Sequence, residues 1–284
     1  MSEISIPFEK ILRMREGFLK NDEKMLRMNA VTKSGIDAVS QVFDAPINTP
    51  NVFSRELKSG EVTSQNGSGR CWLFAALNIL RLEVMKTCEL DSFELSQPYL
   101  FFWDKLEKAN YFLENILNNL EEAQGSRLLS FLLGGPFNDG GQWDMIVSLV
   151  EKYGIVPKSA MPESHSTSNS GRMNKFLTLK AREYAKILRD GHKNGLPLAE
   201  LREKKDGMLA EVFDMLCLCM GVPPVRFDFE CRGKEERFTR DLGLTPHAFY
   251  EKYVGTKLRD YVSLINSPTD DKPDRKSTRL NSSH

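Results

Sequence analysis

The sequence predicts a predominantly helical α+β chain with little strand, and three observations lead there. Several long stretches space their apolar residues every three or four positions, which is the helical period. A single short run, Val225, Phe227, Phe229 and Cys231, alternates apolar with polar residues as a strand does. The composition, 40% hydrophobic and 27% charged over 284 residues, is globular and sufficient for one large domain or two smaller ones.

Taken in order, Phe8, Ile11, Leu12, Met14 and Leu19 predict a first helix, and Asp22 stands as N-cap of a second that carries Met25 and Met28. Pro46 and Pro50 make Asp44 to Ser54 a loop, and Lys58 to Arg70, rich in Ser, Gly, Asn and Gln, is a second, polar one. At Cys71 the composition flips. Trp72 to Leu77, Ile79 and Leu80 are apolar without a polar face, which predicts a buried helix whose first residue is a cysteine. Ser96 caps the next helix, with Pro98 in its first turn. Asn138-Asp139-Gly140-Gly141 punctuates a loop, and the helix carrying Met145 to Val150 stops at Gly154. Amphipathic helices cover Asn174 to Arg189 and Leu209 to Met220, the latter ended by Gly221. Glu200 to Asp206 reads as a solvated helix face. The alternating run follows, and Thr245-Pro246 opens a short helix with Phe249 and Tyr250. Ser267 to His284 has Leu280 as its only large apolar residue and is expected to be disordered.

Charge and cysteine usage narrow the function classes. The 39 basic and 39 acidic side chains cancel. That speaks against a strongly electrostatic nucleic-acid binder while allowing a local basic patch. No run of about 18 apolar residues occurs, so no membrane-spanning helix and no membrane partner are expected. The N-terminal stretch lacks the apolar core of a secretory signal. Five scattered cysteines (Cys71, Cys88, Cys217, Cys219, Cys231) are an odd number without a framework spacing, as expected of reduced thiols in a cytoplasmic protein. Cys217 and Cys219 stand two apart on a helix and face different ways, and no histidine completes a zinc pattern. Phosphate-loop and dinucleotide glycine signatures are absent. Neither a metal nor a cofactor is expected.

Chemistry concentrates at Cys71. A thiol is a weak nucleophile at neutral pH and becomes a strong one as thiolate, which a helix N-terminus favours through its unpaired N–H groups and dipole. The Cys71 N–H can also serve as one donor to an oxyanion if a side-chain amide supplies the second, and Gln65, six residues upstream, is placed to reach back. On position alone the plainer readings lead, a small core cysteine for Cys71 and a solvated loop amide for Gln65.

The segment Gln65-Asn66-Gly67-Ser68-Gly69-Arg70-Cys71-Trp72-Leu73-Phe74-Ala75 resembles the active-site segment of papain-like cysteine peptidases, and in detail the bleomycin hydrolase and aminopeptidase C branch. Gly69, Cys71 and Trp72 fit the papain signature, while Arg70 and Ser68 replace its small residue and first cysteine. Three further stretches resemble the same branch: Glu94–Gln97 with Leu100–Lys105, Asn138–Met145, and Glu151–Pro157 with Met161–Ser164. The resemblance implies a papain-like α+β fold with most of its β-rich half missing. It implies Cys71 as nucleophile and Gln65 as oxyanion donor. Gly140 and Gly141 would form a double-glycine strand along which substrate backbone lies, and Trp72 would shield the nucleophile helix. It further implies an aminopeptidase acting on peptides with a free N-terminus, and self-association, since family members form hexamers. The organisation it implies is an N-terminal arm and helical half over 1–165, a helical insertion used for assembly over 166–265, and a foreign tail over 266–284.

The family's mechanism needs a histidine to take the thiol proton, oriented by an asparagine. Of His165, His192, His247 and His284, none stands in the family's histidine context: His165 is placed in a loop, His192 after a helix, His247 at a helix start and His284 in the tail. The chain therefore reads as the N-terminal part of a longer enzyme, inactive alone. From a different class, the rival reading is a non-catalytic assembly or binding module with weak nucleic-acid binding.

Overall fold

Helices carry the chain, as the apolar spacing requires, and among the described residues a single hairpin supplies the strands. The computed structural model describes residues 5–44 and 58–262, together with Ile47, Val52, Ser54 and Glu56. The tail expected after Asn266 and most of the loop expected from Asp44 to Ser54 lie outside the described residues. The chain divides into two compact units, Met1–Leu57 and Lys58–His284.

The first unit holds α1 (Phe8–Leu19), α2 (Asp22–Ser34) and α3 (Ile36–Ser40), none with a fully buried side chain. The expected cap moves by one residue. Asn21 rather than Asp22 caps α2, its Oδ1 accepting from Lys24 N at 2.8 Å, so that Asp22 and Glu23 fall in the first turn.

The second unit is built from α4 (Cys71–Cys88), α5 (Gln97–Asn118), α6 (Arg127–Gly134), α7 (Trp143–Tyr153), α8 (His165–Ser168), α9 (Gly171–Lys193), α10 (Leu198–Met220), β1 (Phe227–Arg232), β2 (Phe238–Leu244) and α11 (Pro246–Tyr253). Helix α5 is its axis and packs against α4, α6, α7, α9 and α10. Ser96 caps it as expected, with Pro98 in the first turn. One continuous core runs from Leu73 on α4 through Phe101 and Phe102 on α5 and Val150 on α7 to Leu188 on α9 and Leu216 on α10. Helices α9 and α10, expected as an insertion, thus share this core.

Several readings are corrected. The strand expected near Phe227 is β1, and it pairs antiparallel with β2, whose alternation of Phe238, Leu242 and Leu244 is broken by Arg240. The charge run from Glu200 is only partly solvated, since Leu201 and Lys205 turn inward and Lys205 pairs with Glu114. His165 heads α8 instead of lying in a loop, and His192 sits within the last turn of α9. Helix α4 is not buried all round. Cys71, Ala75 and Ile79, spaced by four, leave one exposed apolar stripe.

Candidate active site

The site begins where the polar loop becomes α4. Arg70 is the N-cap residue and no side chain caps the helix, so its first-turn N–H groups keep their donor capacity. Cys71, the first helical residue, is the one cysteine of the five that is exposed. The loop before it is held from within. Asn66 adopts φ 52°, and Ser68 Oγ donates to the Gln65 carbonyl at 2.7 Å while accepting from Arg70 Nε at 2.8 Å. Arg70 is completely buried, donates from Nη1 to Glu163 Oε1 at 3.0 Å, and lies over the rings of Phe74 and Phe101 at 5.1 and 5.6 Å. Arg70, one of the two residues that depart from the papain signature, is therefore the anchor of the loop before Cys71.

Gln65 is half-buried at the far end of the same loop. Its Oε1 is buried without a partner and its amide nitrogen makes no hydrogen bond among the described residues, which leaves its donors uncommitted.

Gly140 and Gly141 follow α6 in an irregular segment, not in the strand expected for them. Among the described residues the only ladder is β1 with β2, beside an isolated bridge between Leu95 and Pro157. Each glycine has its own reason. Gly140 has φ 97°, which disfavours any side chain, while an ideal Cβ on Gly141 would lie 2.6 Å from Trp72 Cε3. Trp72, half-buried at the start of α4, thus packs flat against the backbone of this segment.

Two lysines of α5 tie the segment down. Lys105 Nζ, fully buried, donates to the Phe137 carbonyl at 3.1 Å and to Asp139 Oδ1 at 2.7 Å. Lys108 Nζ donates to the carbonyls of Asn138 and Gly140 at 2.9 and 3.0 Å and to Asp104 at 2.9 Å. Asp139 also accepts from Asn174 at 2.9 Å and Ser170 at 3.3 Å. On its other side it meets Gly69, where a Cβ would come within 2.2 Å of the Asp139 Cβ. Burial pushes the Asp139 carboxyl up, but Lys105 and the hydrogen bonds outweigh it and hold the group below the ordinary carboxylate range. Asp104 goes the other way: burial raises it and its lysines do not fully compensate. Asp139 therefore links the glycine segment to the loop that presents Cys71.

Two of the described histidines are held by other partners. His192 Nε2 pairs with Glu121 at 2.6 Å, His247 Nε2 meets the Glu151 carbonyl at 3.1 Å, and no hydrogen bond joins Cys71 to an imidazole among the described residues. His284 lies outside the described residues.

A model of the Peptidase C1-like family matches residues 5–283. The chain belongs to that family. It is 49% identical over 249 residues to aminopeptidase C of Streptococcus thermophilus, covering 88% of this chain and 56% of that protein. To bleomycin hydrolase of Oryctolagus cuniculus it is 42% identical over 223 residues, 77% of this chain and 79% of that one. The crystal structure of PepW from Lactobacillus rhamnosis HN001 superposes with a TM-score of 0.90 at 43% identity, covering 96% of this chain and 61% of that chain. The fold is thus the papain-like one. The chain spans 56% of the length of the Streptococcus relative and 61% of PepW.

Sequence reasoning named Cys71, Gln65 and the glycine pair as candidates. It missed Arg70, Lys105, Lys108 and Asp139 as organisers. The only available signal for them was their position inside the quoted family-like stretches.

Proposed function

We propose that this chain carries the nucleophile-bearing part of a cysteine aminopeptidase of the aminopeptidase C and bleomycin hydrolase kind. The observation that carries the reading is the exposed Cys71 thiol on the first residue of an uncapped helix, in a chain of this family. In this reading the Cys71 thiol loses its proton to an imidazole, and Sγ forms a bond to the carbonyl carbon of the N-terminal residue. The Cys71 N–H and the uncommitted Gln65 amide donate to the resulting oxyanion. The C–N bond then breaks as the imidazolium returns its proton to the leaving amine, and water hydrolyses the thioester to free the acid and the thiol. Gly140 and Gly141 offer their backbone to the substrate chain.

The imidazole is assigned to none of the four histidines of this chain, so little turnover is expected from it alone. Hydrolysis of an amino-acid arylamide tests this, with Cys71→Ser as control. Robust turnover that is lost in C71S would overturn the assignment of the base to residues outside this chain. Turnover that survives in C71S would overturn the nucleophile.

A further inference from the structure

We infer that Cys88 and Cys231 are a peroxide-responsive dithiol, which closes to a disulfide and staples the end of α4 to β1. The pair lies outside the site described above, and the proposed activity uses neither sulfur.

The main chain brings the two residues together from both flanks. Cys88 is the last residue of α4, and Cys231 is next to last in β1. Just beyond Cys231 the hairpin presses on the helix end. An ideal Cβ on Gly233 would lie 2.3 Å from the Cys88 carbonyl oxygen, and Lys234 N donates to the Glu89 carbonyl at 3.2 Å. On the other flank Thr87 Oγ1 donates to the Tyr253 carbonyl at 3.4 Å, and the Tyr253 ring meets Phe229 of β1 with centroids 4.8 Å apart. Within this clamp the two thiols share a hydrogen bond. Cys71 opens the same 18-residue helix about 25 Å away, so its own oxidation cannot end in this bridge.

Exposure divides the chemistry between the two sulfurs. Cys88 is buried and Cys231 half-buried, so a hydroperoxide meets Cys231 first. The Cys231 thiolate attacks a peroxide oxygen and the O–O bond breaks. Cys231 becomes a sulfenic acid, and the departing hydroxide takes up the thiol proton as water. The Cys88 sulfur then attacks the Cys231 sulfur, the S–O bond breaks, and the second hydroxide leaves with the Cys88 proton as water. Two thiols have lost two electrons and two protons, and hydrogen peroxide is reduced to water. Burial makes Cys88 a poor nucleophile toward dissolved reagents, but here its target is held in contact with it.

The folded chain is treated with stoichiometric hydrogen peroxide, with and without dimedone to trap sulfenic acid. Remaining thiols are blocked with N-ethylmaleimide in urea, and unreduced peptides are mapped by mass spectrometry. Wild type is expected to give a reducible Cys88–Cys231 peptide about tenfold above any other cysteine pair. Its urea midpoint is expected to rise, because the bridge closes a long loop of the unfolded chain. In Cys88→Ala the Cys231 sulfenic acid has no resolving thiol, and its dimedone adduct is expected to grow about tenfold over wild type. Cys231→Ser changes the more exposed partner and so protects the fold; Cys88 is then expected to stay reduced, with no rise in midpoint. Equal dimedone labelling of Cys231 in wild type and C88A overturns the inference, as does recovery of both cysteines as thiols. A linked peptide that forms as readily in urea as in the folded chain also overturns it. A bridged chain that melts no later than the reduced one overturns the staple.

Discussion

Trp72 and Gly141 are in such close contact that an ideal Cβ on the glycine would lie 2.6 Å from Cε3 of the indole. The tryptophan follows Cys71 directly, so the contact fixes the height of the glycine segment over the start of α4. A methyl group at 141 has no room unless the indole or the backbone moves, and overpacking of this kind costs about 1–3 kcal/mol. Gly141→Ala is therefore expected to lower the denaturation midpoint and to shift Trp72 fluorescence, measured against W72F to isolate its signal. Wild-type stability and emission in G141A would show that the contact relaxes freely.

Asp139 gives a pH dependence with a definite sign. Its carboxyl lies below the ordinary value of 3.8 in the folded chain, so it contributes stability above that value and loses it as the pH falls through the depressed folded value. Asp139→Asn leaves Lys105 buried without its counter-charge, a loss of about 3 kcal/mol at neutral pH. The stability gap between wild type and D139N is expected to be constant from pH 8 to about pH 5 and to close below pH 4. Urea melts at stepped pH read the gap, and one that widens in acid would reverse the sign of the assignment.

The parts of this architecture that sequence could reveal are the local ones. Ser96 and Thr245 cap their helices as read because a hydroxyl one residue before a Pro-bearing first turn is a short-range signal. Cys71 was legible as a helix start because polarity changes between Arg70 and Trp72. Strand β2 was not, because Arg240 and Asp241 sit in it and are satisfied by Glu230 and Lys252, partners that lie outside any local window. Lys105 and Lys108 look like the polar face of an amphipathic helix. Their acceptors lie some 30 residues downstream, and no periodicity reports that.

Arg70 and Glu163 form a pair in which removing one partner or the other is not equivalent. Arg70 has no exposure and its Nη2 is already without a partner, while the Glu163 side chain is 20% exposed and also accepts from Thr167. Glu163→Ala would strand a buried guanidinium, at a cost of about 3–5 kcal/mol. Arg70→Met substitutes an apolar chain of similar length between Phe74 and Phe101 and leaves a carboxylate that still reaches water and a hydroxyl. The E163A chain is expected to be the less stable of the two by denaturant melts. The reverse order would mean that Ser68 and the aromatic rings, and not the carboxylate, stabilise the buried charge.

Cys88 closes the far end of the helix that Cys71 opens, and its thiol is opposite in character. Burial first, then its hydrogen bond and charge repulsion with Cys231, push it from 9.0 up to about 12. Three pH units correspond to about a thousandfold less thiolate at pH 8 than an ordinary cysteine has, and thiolate is the species that alkylates. Limited iodoacetamide treatment of the folded chain is expected to label Cys71 first, the half-buried Cys217, Cys219 and Cys231 later, and Cys88 last. Cys231→Ala removes the hydrogen bond and the repulsion but not the burial, so Cys88 labelling is expected to rise while staying slower than that of Cys71. Peptide mapping after timed quenching gives the order. Labelling of Cys88 at the rate of Cys71 in the native chain would mean that α4 opens at its C-terminal end faster than the reagent reacts.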